Sequence, residues 1–146
     1  MGIPLAILFV GIDSGAGGWA SFASRYGDRL MTVPPIDDSP AILARSHALL
    51  MTSRKEGCPL TALEAFCLGK PVVGTDVPGI RDVVRHEGNG ILCEQDPGSV
   101  SSALVRIVTE VPLYNRLCTN ALESGKAIDE DFWVDQYVQL YRRLAG

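Results

Sequence analysis

With 146 residues, 47% of them hydrophobic, the chain holds enough apolar material for one domain (residues 1–146) with its own core. A formal net charge of −4, from 13 Lys and Arg against 17 Asp and Glu, excludes a general attraction to nucleic acid or to an anionic membrane surface. The two histidines and four cysteines contain no C-x-x-C pair and no zinc spacing, so no zinc site is expected, and reduced thiols in a cytoplasmic setting are the better default.

Taken from the start, Leu5 to Val10 is an apolar run closed by Gly11 that reads as a buried strand. It lacks the basic leader of a signal peptide and is too short to cross a bilayer. Gly11 to Gly18 is a glycine-rich connector whose spacing fits neither G-x-G-x-x-G nor a P-loop. Trp19 to Tyr26 predicts a short helix, with Trp19, Phe22, Ala23 and Tyr26 on one apolar face turned to the core. Arg29 to Val33 predicts the next strand, closed by Pro34-Pro35, which have no N–H to give a ladder. Asp38 or Ser39 then caps a helix through Pro40 to Ala44.

The chemistry concentrates in the next unit. Ala48 to Met51 reads as a buried strand, Ser53 to Gly57 as the loop leaving its carboxyl end, and Cys58-Pro59 as the opening of a helix with proline at its first position. Gly69 supplies a left-handed stop, Pro71 blocks resumption, and Pro71 to Thr75 is short, β-branched and apolar. Strand, loop, helix, strand is a crossover unit of a parallel sheet, so the fold class is α/β, a Rossmann-like open parallel sheet flanked by helices. Ligands of such sheets bind outside the carboxyl ends of the strands, and the N–H groups at a helix start attract anions. Gly57, Cys58, Leu60 and Thr61 are therefore expected beside a phosphate, with Pro59 unable to donate. Glu56 and Glu64 bracket that helix start. Carboxylates so near a phosphate repel it unless they accept hydrogen bonds from hydroxyl groups at the two ends of the ligand, which is the layout of a nucleotide-sugar.

The remaining elements are plainer. Asp76 to Gly79 is a turn, His86 to Gly90 another, and Ile91 to Cys93 a short strand. His86 is expected to be a polar turn residue rather than a base. Asp96-Pro97 and Pro112 start two helices. In the last segment Phe132, Trp133, Tyr137, Leu140, Tyr141 and Leu144 fall on one helix face and are expected in the core.

The residues from Ser53 to Ile80 carry a longer pattern, Ser-Arg-x-Glu-Gly-x-Pro-Leu-x-x-Leu-Glu-Ala-x-x-x-Gly-Lys-Pro-Val-Val-x-Thr-Asp-x-x-Gly-Ile. This pattern resembles the donor-binding, C-terminal half of the GT-B retaining glycosyltransferases of the family 4 type, and the likeness runs from about Ala6 to the end of the chain. The resemblance implies a transferase that moves a hexosyl group from a nucleotide-diphosphate carrier to an acceptor hydroxyl, with retention and without a metal. It implies that Glu56 contacts the donor-sugar hydroxyls in the catalytic position, and that Glu64 binds the ribose. Ser53, Arg54, Gly57, Cys58, Pro59, Leu60 and Thr61 would complete the donor site. Val33 and Pro34 would sit near the nucleotide base. It also implies an acceptor-binding domain, as part of the protein or as a separate subunit, and an earlier strand and helix with an Arg and a Lys that clamp the diphosphate. None of these lies in this sequence, so the isolated chain is expected to bind its donor weakly and not to turn over. A non-catalytic nucleotide-sugar binding module, or one subunit of a split transferase, is the alternative; an interaction domain using a free sheet edge is a third.

Overall fold

The computed structural model describes residues 5–12, 18–128 and 130–145. Each strand and helix expected from the sequence is present, with boundaries shifted only slightly. In chain order they are β1 (Ile7–Val10), α1 (Trp19–Ser24), β2 (Leu30–Val33), α2 (Ser39–Arg45), β3 (Leu49–Met51), α3 (Leu60–Cys67), β4 (Val72–Thr75), α4 (Ile80–Val83), β5 (Gly90–Cys93), α5 (Pro97–Thr109), α6 (Val111–Lys126) and α7 (Glu130–Ala145). Asp13 to Gly17 of the glycine-rich connector, and the side chains of Phe132 and Trp133, lie outside the described residues.

All strand pairs are parallel, and helices separate consecutive strands, so this is an α/β fold with parallel sheets flanked by helices. The strands fall into two hydrogen-bonded groups, β1 with β2 and β3-β4-β5, where one continuous sheet was expected. Local apolar runs identify strands but not their neighbours, and among the described residues no ladder joins the two groups.

β4 is the centre of the larger group. All four of its residues are buried, and alternation sends Val72 toward Phe66, Ala62, Ile80 and Ala121 on one side and Val73 toward Ile91, Ile107 and Leu117 on the other. α3 makes its most extensive packing against α6. There Gly125 is required by close approach, since a Cβ on it would stand 2.5 Å from the Cys67 nitrogen and the Phe66 carbonyl. Gly69 has φ +65 and ends α3 as expected: the Gly69 N–H donates to the Phe66 oxygen at 2.9 Å and the Lys70 N–H to the Ala65 oxygen at 2.8 Å. Asp38 and Asp96 cap α2 and α5 through their carboxylates.

Two core assignments need correction. In α7, Tyr137, Leu140, Tyr141 and Leu144 are exposed, Leu144 to 75%. The period shows that one face is apolar, but no element packs extensively on it among the described residues. On α1, Trp19 packs on Phe9 at 5.3 Å between ring centroids, but Phe22 and Tyr26 continue the aromatic series outward and are exposed.

Candidate functional site

β3 ends at Met51 and α3 begins at Leu60, so residues 52–59 form a loop at the carboxyl end of the sheet. Pro59 is buried at the N-cap with φ −80 and ψ 78, one residue earlier than the first-helical position expected for it. The shift has a local cause. The Leu60 N–H turns back to the Cys58 oxygen at 2.9 Å, and Pro59 sits at the tip of that tight turn. The Leu60 amide is thereby spent, while the N–H groups of Gly57, Cys58 and Thr61 meet no acceptor among the described residues. Thr61 is thus the free amide of the helix's first turn, where the positive end of the helix dipole favours an anion, and the free loop amides of Gly57 and Cys58 precede it in sequence.

The two glutamates flank these donors differently. Glu56 is partly buried, and the Ser53 hydroxyl donates to its Oε1 at 2.6 Å. Its backbone lies against Gly79, whose φ is +85. Glu64 is exposed, without a side-chain partner among the described residues. Side chains three and four apart share a helix face and tilt toward its N-terminus, so Glu64 leans toward the turn of Leu60 and Thr61. Glu56 thus precedes the helix start in the loop, and Glu64 leans back toward it from one turn inside the helix. Arg54 and Lys55 are exposed and meet no acidic side chain among the described residues, leaving two free cations on the loop. Cys58 is exposed with a free thiol.

Val33 ends β2, and Pro34 follows it at that strand's carboxyl end. The Val33 carbonyl accepts from the N–H groups of Gly11 and Ile12, both at 3.0 Å, so that acceptor is already engaged. His86 behaves as a turn residue, its Nδ1 accepting from the Leu92 N–H at 3.1 Å. The buried Cys93 thiol donates to the Gly74 oxygen at 3.4 Å, and burial pushes its pKa up.

Sequence reasoning from local patterns missed three residues that hold the loop. Thr75, at the end of β4, donates its hydroxyl to the Ser53 oxygen at 2.5 Å. Gly79 supports Glu56 from the turn after β4, and Gln95, beyond β5, donates to the Arg54 oxygen at 3.3 Å. Thr75 and Gly79 lie inside the quoted pattern, which was the available signal; Gln95 had none. The carboxyl ends of β4 and β5 therefore fix the loop that follows β3.

A family model described as "Glycosyl transferases group 1" matches residues 5–110. The N-acetyl-alpha-D-glucosaminyl L-malate synthase of Bacillus anthracis is 31% identical over 118 residues, covering 80% of this chain and 30% of that protein. Among solved structures, a sucrose-phosphate synthase from Thermosynechococcus elongatus superposes with a TM-score of 0.80 at 27% identity, over 94% of this chain and 38% of that one. Anabaena HepE, solved in complex with UDP, gives 0.79 at 20% identity over 97% and 41%, a likeness of fold. The chain spans about a third of the length of the relatives it matches.

Proposed function

The chain belongs to the glycosyl transferases of group 1, and from that membership and the site geometry we propose that it is the C-terminal, donor-binding domain of a GT-B enzyme of the family 4 type. The observation that carries this reading is the α3 start, where three unspent amides stand between Glu56 and Glu64 with Arg54 and Lys55 beside them. The diphosphate lies on the Gly57, Cys58 and Thr61 amides. Glu64 accepts from the ribose, and Glu56 from the transferred sugar. The HepE complex makes UDP a natural first probe.

Transfer to an acceptor hydroxyl then depends on positioning and charge. The helix start and the loop cations stabilise negative charge gathering on the departing diphosphate, which is where a preorganised site contributes most. That positive charge supports a metal-independent reaction; retention follows the family resemblance. The acceptor is held by a separate domain or subunit, so the isolated chain binds donor and does not turn over. No helix among the described residues is long and apolar enough to cross a membrane, and the donor chemistry suits the cytoplasm.

Calorimetric titration of the chain with UDP, GDP and ADP tests the reading. Saturable binding of one of them supports it; no heat from any, up to high millimolar ligand, rejects it. Sugar transfer by the pure chain would reject the separate-acceptor part alone.

A further inference from the structure

Glu56 belongs to the loop after β3, yet its position is set from elsewhere in the fold. The Thr75 residue is only 2% exposed, and its hydroxyl donates to the Ser53 carbonyl at 2.5 Å. Ser53 in turn donates its own hydroxyl to Glu56 Oε1 at 2.6 Å. From the other side Gly79 abuts the Glu56 backbone, and the Gly79 N–H is taken by Asp82 Oδ2 at 3.1 Å, which fixes that turn. One oxygen of Glu56 is thus engaged, and Oε2 has no partner among the described residues.

We propose that Thr75 is a positioning residue of the donor site, acting through Ser53 to hold Glu56 with Oε1 occupied and Oε2 free for a sugar hydroxyl. The assignment rests on the donor-site reading above and adds to it a specificity element on a different strand. A carboxylate with one oxygen already accepting from Ser53 is held in one orientation, and Oε2 is the oxygen left with no partner among the described residues for a sugar hydroxyl. Thr75 touches no ligand in this account. Its hydroxyl matters because a half-buried Ser53 residue whose carbonyl lost this donor would seek another and take the loop along.

The simpler role, a core threonine that merely satisfies a carbonyl, makes a different prediction. The test compares wild type with Thr75→Val, Thr75→Ser and Ser53→Ala in two measurements. The first is amide hydrogen exchange across residues 53–58 of the ligand-free protein. Thr75→Val is expected to speed exchange there with little change over α5 and α6, and Thr75→Ser to restore it. The second is affinity for UDP, GDP and ADP, each with and without an attached glucose. Thr75→Val and Ser53→Ala are expected to weaken the sugar-bearing form by about tenfold, the worth of one charge-assisted hydrogen bond, and the bare diphosphate by less than about twofold. Equal weakening of both forms, or neither, overturns the positioning role. Should wild type bind none of the six ligands, the donor-site reading fails. The exchange data then still decide whether Thr75 holds the loop, and unchanged exchange in Thr75→Val refutes that. Ser53→Ala lies on the loop rather than in the core, so it keeps the test open if Thr75→Val does not fold.

Discussion

Gly79 lies so close to Glu56 that a Cβ built on it would stand 2.6 Å from the Glu56 carbonyl oxygen and 2.9 Å from the Glu56 Cβ. Its φ of +85 is a conformation that side chains rarely adopt. Two turns separated by the whole of α3 and β4 thus meet backbone to side, and the proposed sugar-binding carboxylate depends on the absence of one methyl group.

Gly79→Ala should therefore cost about 1–2 kcal/mol in backbone strain and about 1–3 kcal/mol in overpacking, less whatever the loop recovers by moving. Urea denaturation measures the loss. The same variant should lose affinity for a sugar-bearing nucleotide beyond its loss for the bare nucleotide, because the displaced group is Glu56.

Gly125→Ala tests the support under α3. The added Cβ meets the backbone of Cys67 and Phe66 at 2.5 Å, and backbone cannot swing aside as a side-chain tip can. A destabilisation of about 1–3 kcal/mol is expected, lowering Tm by about 2–4 °C per kcal/mol for a chain of this size. Gly125→Ser should be no milder.

Tyr114 gives a pH signature. Burial, with a smaller contribution from Cys118, pushes its phenol pKa up to about 12, against about 10 for a free tyrosine. Between these values the folded state binds more protons than the unfolded one, so stability is full below about pH 10 and falls as pH rises toward 12. Tyr114→Phe should flatten that slope. Phenolate absorbance of wild type against Tyr114→Phe checks the assignment, the variant losing the ionisation step near pH 12.

The two glutamates should separate by ligand. Glu64→Gln is expected to weaken UDP, or whichever nucleoside diphosphate binds, by about tenfold, since the ribose is common to both forms of the ligand. Glu56→Gln should weaken only the sugar-bearing form. Equal losses for both ligands in both variants would reject the division of roles.

Much of this was legible in the residues. The Pro71 to Thr75 run had to be a buried strand, Gly69 had to stop a helix, and Asp96-Pro97 had to start one, because each rests on backbone chemistry that neighbours in sequence decide. The Ser53 to Ile80 pattern gave the loop, helix start and two acids together. What stayed hidden depends on distant partners. The Thr75 to Ser53 bond spans 22 residues, and no periodicity announces it. The stripe on α7 shows why: an apolar face is visible in sequence, whereas whether another element packs on it is not. The β1-β2 pair was recognised strand by strand, but its separation from β3 is a matter of ladders that composition does not encode. Pro59 missed its expected helical position by one residue, owing to the Leu60 to Cys58 turn.

The most direct measurement of the central claim is the amide shift map of the isotope-labelled chain as UDP, GDP or ADP is added. The account predicts that the largest changes fall on Gly57, Cys58 and Thr61, whose N–H groups are unspent, with smaller ones at Leu60, whose N–H already faces Cys58. Changes centred elsewhere, or a map unaltered by all three nucleotides at millimolar concentration, would contradict it.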